Sequence, residues 1–342
     1  MAADRDHVDA TASITRMSAD WRRPAELEIT SPANPRIKQI VALRRRRGRE
    51  QAGVTLVEGL AEIELALAAG VRPRTLYYCP ALAAPASSPL AGRDAPVAEH
   101  VAGLASRGAG LADSRAGLAD RRAGLADRGA GLVDRVARLG AEVVQVSRPV
   151  FEKIAYREGP DGWLAVVPAV AAGLDRLNLG PRPLVLVCAG LEKPGNLGAI
   201  LRTADAAGVA AVIAADPVTD WGNPNVVRAS KGTIFSVPVA SAASAEVLDW
   251  ASDLGLQIVA ATPDAQQLVS EIDLTGPTAI AVGAEQTGLS AQWLERADVR
   301  VRIPMFGRAD SLNVSTSAAI ITYEVVRQRL QAGDLKIHVP VG

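Results

Sequence analysis

Short aliphatic runs near residues 184–188, 210–215, 236–240, 257–261, 278–282 and 299–303 recur through the second half of the chain, with helical stretches between most of them. Runs of that length are too short for helices and read as strands. Strands that alternate with helices imply a mostly parallel sheet covered by helices on both sides. A long helix from about Asn313 to Gln331 closes this unit.

The first half carries a smaller α/β pattern. Residues 1–25 are polar, have no sustained apolar period and read as a mobile tail. From Ile29 onward, Asn34 and Pro35 supply a helix cap and a first-turn proline, and Ile37, Ile40, Val41 and Leu43 then follow at helical spacing. Val54 to Glu58, Thr75 to Cys79, Val143 to Val146 and Trp163 to Val167 read as strands, Ala61 to Ala69 as a helix, and Ser147 as the cap of a short helix reaching Tyr156. Between residues 102 and 136 the chain repeats Ala-Gly-Leu-(Ala/Val)-(Asp/Ser) every seven residues. One strong apolar residue per repeat, preceded by glycine, makes a poor helical seam, so a low-complexity surface insertion is the favoured reading over a weak amphipathic helix. Residues 168–183, rich in Ala, Gly and Pro, read as a linker. The expected organisation is thus a tail, a first domain over 26–167, the linker, and a second domain over 184–342.

The formal net charge is +0, so partners must be inferred from where charge lies rather than from its sum. Arg36, Lys38, Arg44, Arg45, Arg46, Arg47 and Arg49 crowd one stretch, which is either a phosphate-binding face or a solvated helix surface. Arg228 and Lys231 form a second, smaller candidate. Aromatic residues make up 4% of the chain, so base-stacking platforms are scarce. Cys79 and Cys188 each sit in a strand-like run, where a buried thiol is the simplest reading, and no metal-ligand spacing occurs. The N-terminal residues lack an apolar signal core and no apolar run reaches membrane-spanning length, so a cytoplasmic protein is expected.

Three polar stretches fall at the ends of the second-half strands. Leu191-Glu-Lys-Pro-Gly-Asn-Leu-Gly-Ala-Ile-Leu-Arg-Thr-Ala-Asp205 opens a helix through a glycine-bearing turn able to present backbone N–H groups. Such a turn by itself is more often structural, and Arg202 early in the helix shifts the balance toward a ligand or phosphate role. Gly190, Gly195 and Gly198 do not make the dinucleotide fingerprint, and no P-loop is present. Ala281-Val-Gly-Ala-Glu-Gln-Thr-Gly-Leu-Ser290 puts Gly283, Gly288 and Glu285 at a sheet edge; a ligand loop and a plain strand–turn–helix connection capped by Ser290 are equally good readings. Val301-Arg-Ile-Pro-Met305, followed by Asp310-Ser-Leu-Asn-Val-Ser-Thr-Ser317, holds more small polar side chains than helix capping requires.

In that order the three stretches resemble the motifs of the SpoU (SPOUT) RNA methyltransferases across essentially the whole second unit. Ile29-Thr-Ser-Pro-Ala-Asn-Pro-Arg-Ile-Lys38 and Val57-Glu-Gly59 are similar to the ribosomal-protein-like substrate-binding domain that often precedes it, from which the seven-residue repeats depart. The resemblance implies an α/β fold with a C-terminal trefoil knot, S-adenosylmethionine as methyl donor, a ribose 2′-hydroxyl of RNA as acceptor, and a homodimer. It carries Gly283, Ile303 and Leu312 over as donor-site positions, with Thr262 and Met305 beside them. Asn196, Arg202, Glu285, Ser311 and Asn313 carry over as the polar catalytic constellation. Arg202 is the family's proposed activator of the hydroxyl; guanidinium stays protonated, so phosphate binding and stabilisation of alkoxide charge is the preferred role. Glu285 is expected to hold loop geometry rather than act as base. Ribosomal RNA is preferred to transfer RNA because of the additional N-terminal domain. The rival readings are a non-catalytic RNA-binding protein that keeps the fold, and a nucleotide-dependent oxidoreductase, which lacks its glycine fingerprint.

Overall fold

A computed structural model describes residues 27–83, 129, 131–170 and 173–334. The expected tail, the repeats up to residue 128 and the last eight residues lie outside the described residues. The chain divides into two compact units: one runs to Val41 and again from Arg72 to Val166, the other from Ala42 to Val71 and again from Val167 onward.

A five-stranded sheet has the order β1-β4-β3-β5-β2, built from β1 (Leu27–Ile29), β2 (Val54–Glu58), β3 (Thr75–Tyr78), β4 (Glu142–Val146) and β5 (Trp163–Pro168). The strand pairs β1–β4 and β4–β3 are parallel, and β3–β5 is antiparallel, with Tyr78 opposite Trp163 and their rings stacked at 5.8 Å. The expected single helix after Asn34 is two, α1 (Pro35–Ala42) and α2 (Arg46–Ala52), with α3 (Leu60–Ala68) and α4 (Pro80–Ala83) following β2 and β3. Asn34 does cap the first, its Oδ1 accepting from the Arg36 N–H at 2.9 Å. Ser147 precedes the helix α6 (Arg148–Ile154) but does not cap it; its hydroxyl donates to the Thr30 carbonyl instead.

The end of the repeat segment departs from the surface-insertion reading. Residues 131–138 form a helix, α5, whose Leu132 and Val136 are 1% and 0% exposed. Their spacing of four puts both on one face, and that face is core. The expected linker is not a free tether either: Leu174, Leu177 and Leu179 pack on the core of the second unit.

That core lies on a seven-stranded sheet of order β10-β12-β9-β11-β6-β7-β8, every neighbouring pair parallel. Its strands are β6 (Leu184–Ala189), β7 (Ala211–Ala215), β8 (Val239–Ala242), β9 (Gln257–Ala261), β10 (Gln267–Leu268), β11 (Thr278–Gly283) and β12 (Val299–Arg302). The expected 236–240 strand begins later because residues 233–235 form a 3₁₀ turn, and β10, two residues long, left no periodic signal. Side chains alternate across each strand. Val185, Val187, Ile213, Ile258 and Ala281 meet Val247, Leu248 and Ala251 of α9 (Ser244–Asp253) and Trp293 of α10 (Ala291–Arg296) in one layer. The opposite layer holds α7 (Pro194–Ala207), packed on α8 (Pro224–Ala229) and on α11 (Val314–Gln331), which itself rests on β11. Burial in mid-β6 pushes the Cys188 thiol up to about 12 and leaves it an inert core residue.

Two features fix the helices next to the site. Gly198 in α7 is where α8 crosses: a Cβ there would lie closer than 3.0 Å to Ala229 and to the Ser230 nitrogen. At the other end of α11, the buried Arg329 guanidinium donates to the carbonyls of Gly276, Arg182, Leu274 and Pro183, tying the helix to the approaches of β6 and β11. The described residues contain no helix long and apolar enough to cross a membrane.

Candidate active site

The chain runs outward from β6 through β7 to β8, and its next long strand, β9, lies on the far side of β11. Loops that leave the carboxyl ends of β6 and β11 therefore diverge from adjacent strands, with Ala189 level with Gly283. In open α/β sheets this kind of reversal is where ligands bind.

A cavity of about 900 Å³ occupies the carboxyl edge, within the range of small-molecule and cofactor sites. The loops after β9, β11 and β12 and the start of α11 form its walls. All five expected donor-site residues, Thr262, Gly283, Ile303, Met305 and Leu312, line it, as do Glu285, Ser311 and Asn313. Leu289, Leu294 and Ile321 extend the apolar part, while Thr262, Asp264 and Glu285 supply hydroxyl and carboxylate groups. With the carboxylates Asp264, Glu285 and Asp310 outnumbering the single cation Arg302, this mixed lining fits a nucleoside with an attached cation, which needs apolar walls for the base, hydrogen-bonding groups for the ribose and a net negative surround for the charge.

Gly283 owes its identity to the protein's own backbone. A Cβ there would fall closer than 3.0 Å to the Gly288 carbonyl and the Leu289 nitrogen. The turn after β11 folds back on the strand end: Gly288 donates to the Ala284 carbonyl at 2.8 Å and adopts φ +66°. Gly283 thus permits a close turn that shapes the cavity wall, which joins the two readings that the sequence left open at this strand end. Ser290 again stands at a cap position, before α10, without a side-chain cap bond.

Three motifs meet at Glu285. Asn196 Nδ2 donates to Glu285 Oε1 at 2.6 Å, and Asn313 Nδ2 donates to the same oxygen at 3.0 Å. Asn313 also reaches Asn196 Oδ1 at 3.3 Å, while its own Oδ1 caps α11 by accepting from the Ser315 N–H at 3.0 Å and hydroxyl at 2.6 Å. The other carboxylate oxygen accepts from the Lys193 ammonium. Hydrogen bonds from Lys193 and then Asn196 hold the Glu285 carboxyl below the usual carboxylate range. An anion stabilised by three donors is a poor proton acceptor and a good latch between loops.

Lys193 is the residue that sequence reasoning passed over. It precedes Pro194 inside the first motif, but nothing in the spacing ties it to a glutamate 92 positions on. With Asn196 and Glu285 it lines a small cleft, and the cleft and the main cavity share the turn 284–287 as a common wall. Arg202 is not in this network. It lies in mid-helix on α7, exposed, outside the cavity lining, and has no hydrogen bond or ion pair among the described residues.

The cationic candidates separate. Arg36 donates through Nη1 and Nη2 to the Glu142 carboxylate in an exposed ion pair. Arg46 pairs with Glu50, and Arg49 is buried against Asp220 at 2.6 Å. Arg44 is half-buried, whereas Lys38, Arg45, Arg228 and Lys231 are exposed. Lys231 holds a left-handed φ of 54° just after α8, directed by the tight turn into Gly232.

Comparison with known proteins agrees with this geometry. Residues 183–323 match the SpoU rRNA Methylase family, and residues 34–104 match the MRM3-like substrate binding domain. An AdoMet-bound rRNA methyltransferase from Sinorhizobium meliloti superposes with a TM-score of 0.69 at 27% identity, covering 88% of this chain and 97% of that one. The fold is therefore that of an α/β RNA methyltransferase. An uncharacterized tRNA/rRNA methyltransferase of Synechocystis is 32% identical over 311 residues, 89% of this chain and 95% of the relative. A 23S rRNA (uridine(2479)-2′-O)-methyltransferase of Streptomyces viridochromogenes is 37% identical over 179 residues, 51% of this chain and 62% of the other. The chain belongs to the SpoU rRNA methylase family.

Proposed function

We propose that this protein transfers the methyl group of S-adenosylmethionine to a ribose 2′-hydroxyl of ribosomal RNA. The observation that carries the reading is the junction of Asn196, Glu285 and Asn313, one from each motif, at a cavity lined by Thr262, Gly283, Ile303, Met305 and Leu312. The bound donor supplies an electrophilic methyl group on a sulfonium. The chain's own residues then have separable tasks. Ile303, Met305 and Leu312 exclude water from the donor, and the Gly283 turn shapes its wall. Asn196, Asn313 and Lys193 hold Glu285 ionised as the latch between the loops, and Ser311, exposed in the cavity lining, positions the substrate. Arg202, whose guanidinium is free among the described residues, binds the phosphate beside the target ribose and stabilises charge that develops on the oxygen. Much of the acceleration comes from holding donor and hydroxyl in line. Lys38, Arg44, Arg45, Arg228 and Lys231 supply phosphate contacts, and Arg36 joins them from its exposed pair with Glu142.

Three further features belong to the same reading: a trefoil knot in the C-terminal segment, a homodimer, and a cytoplasmic site of action. Membership of the SpoU family supports the first. Oligomers of a single chain are usually symmetric, which makes a two-fold dimer the natural form. Incubation with labelled S-adenosylmethionine and ribosomal RNA tests the activity, with incorporated methyl groups mapped to riboses. Donor binding without label in any RNA would favour the non-catalytic RNA-binding reading.

A further inference from the structure

The loop from Ile303 to Asn313 belongs to the cavity wall at both ends. Ile303 and Met305 line the cavity, and the lining resumes at Ala309, which leaves Phe306, Gly307 and Arg308 as a tip outside it. At that tip the Phe306 side chain is 96% exposed, more than any other large apolar side chain among the described residues. Phe151, by contrast, is 0% exposed. In a chain with 4% aromatic residues, a fully solvated ring beside the cavity forgoes the burial available to a phenylalanine. Arg308, two residues on, is exposed as well and adds a cation to the same tip.

We infer that Phe306 is a stacking platform for an unpaired RNA base next to the target ribose, with Arg308 contacting the accompanying phosphate. The inference rests on the functional reading above: an acceptor hydroxyl must come to the cavity to receive a methyl group, and the RNA carrying it then passes the loop that walls the cavity. An exposed aromatic face joined to a cation is the chemistry by which single-stranded nucleic acid is held, because every base offers a π face and every nucleotide a phosphate. A second copy of this chain is the competing occupant, since aromatic and arginine side chains also favour protein interfaces, and the oligomeric state of the variants separates the two.

The test uses the full chain, an in vitro transcript of 23S rRNA and S-adenosylmethionine. Phe306→Ala should raise KM for the transcript about 5- to 150-fold, the range that loss of one stacked base represents. Donor affinity should stay at the wild-type value, and Phe306→Trp should restore RNA affinity. In Phe306→Trp the added indole fluorescence should be quenched by the transcript and not by buffer of the same ionic strength. Wild-type KM in Phe306→Ala on a transcript that the wild-type chain methylates overturns the platform alone. A raised KM accompanied by dissociation of a dimer in light scattering also overturns it, assigning Phe306 to contact with a second copy. If the wild-type chain binds donor but methylates no RNA, the functional reading falls first and the platform with it.

Discussion

Glu285 shows how a single residue's state follows from its neighbours. Lys193 is the largest cause of its lowered pKa, with Asn196 second. A carboxyl depressed in the folded chain contributes order that is fully present above its unfolded value, about 4.3, and is lost as pH falls through the lowered folded value. Lys193→Met should therefore move the Glu285 titration midpoint upward, so that the latch between the loops opens at a higher pH. Carboxyl-carbon NMR titration of wild type and variant checks this, and an unchanged midpoint would remove Lys193 from the network. Arg202 makes the opposite case. Because it is exposed and has no partner among the described residues, Arg202→Ala should alter stability by less than about 0.5 kcal/mol. Its kcat should fall about 10²–10³-fold with donor affinity retained, and Arg202→Lys should also be poor because a point charge cannot reproduce the planar fork. Calorimetric donor titration beside single-turnover methylation separates the two effects. Asn196, Arg202, Glu285 and Asn313 were all legible as polar residues recurring in motif order. Lys193 was not, since its role depends on β6 and β11 being neighbours.

Among the elements, β11 with its turn is the most constrained. Gly283→Ala would drive a methyl group into the Gly288 carbonyl, so the turn must lift from the strand end. The expected cost is about 1–3 kcal/mol, with weakened donor binding because the same turn walls the cavity. Gly195→Ala is the matched control: nothing lies within 4 Å of its Cβ position, and donor affinity should survive. Thermal melts with donor titration compare the two, and equal behaviour would mean that the turn is not what shapes the site. Sequence patterns placed six of the seven strands in this sheet because each is a short, mainly aliphatic run set between helical stretches or turns. They failed where hydrogen bonding outside the element decides: the two-residue β10, and the serines at 147 and 290, whose cap positions carry no cap bond.

For the whole molecule, the repeat segment divides into parts with different predicted consequences. Replacing residues 102–128 by a Gly/Ser linker should leave the melting temperature near that of wild type, since glycine-interrupted repeats lack the apolar surface to anchor a core. Leu132→Ala should cost about 2–5 kcal/mol, because Leu132 is buried at 1% exposure on α5. Denaturant unfolding of both variants distinguishes these outcomes; equal stability would return α5 to the surface. Light scattering of the intact chain should report a dimer, and a fully active monomer would remove the subunit interface from the mechanism.

Sequence by itself determined the strand and helix alternation, the parallel sheet it implies, and the three polar loops, because periodicity and turn chemistry are local properties. It also carried the family, since motif order survives where geometry is invisible. Tertiary structure alone decided what those loops do to one another. Strand order β9-β11-β6 brings together residues 92 and 117 positions apart, makes Glu285 a shared acceptor, and sets the turn that crowds Gly283 in the cavity wall. Chain separation holds no record of such neighbours; they arise only when hydrogen-bonded strands fix which loops share an edge.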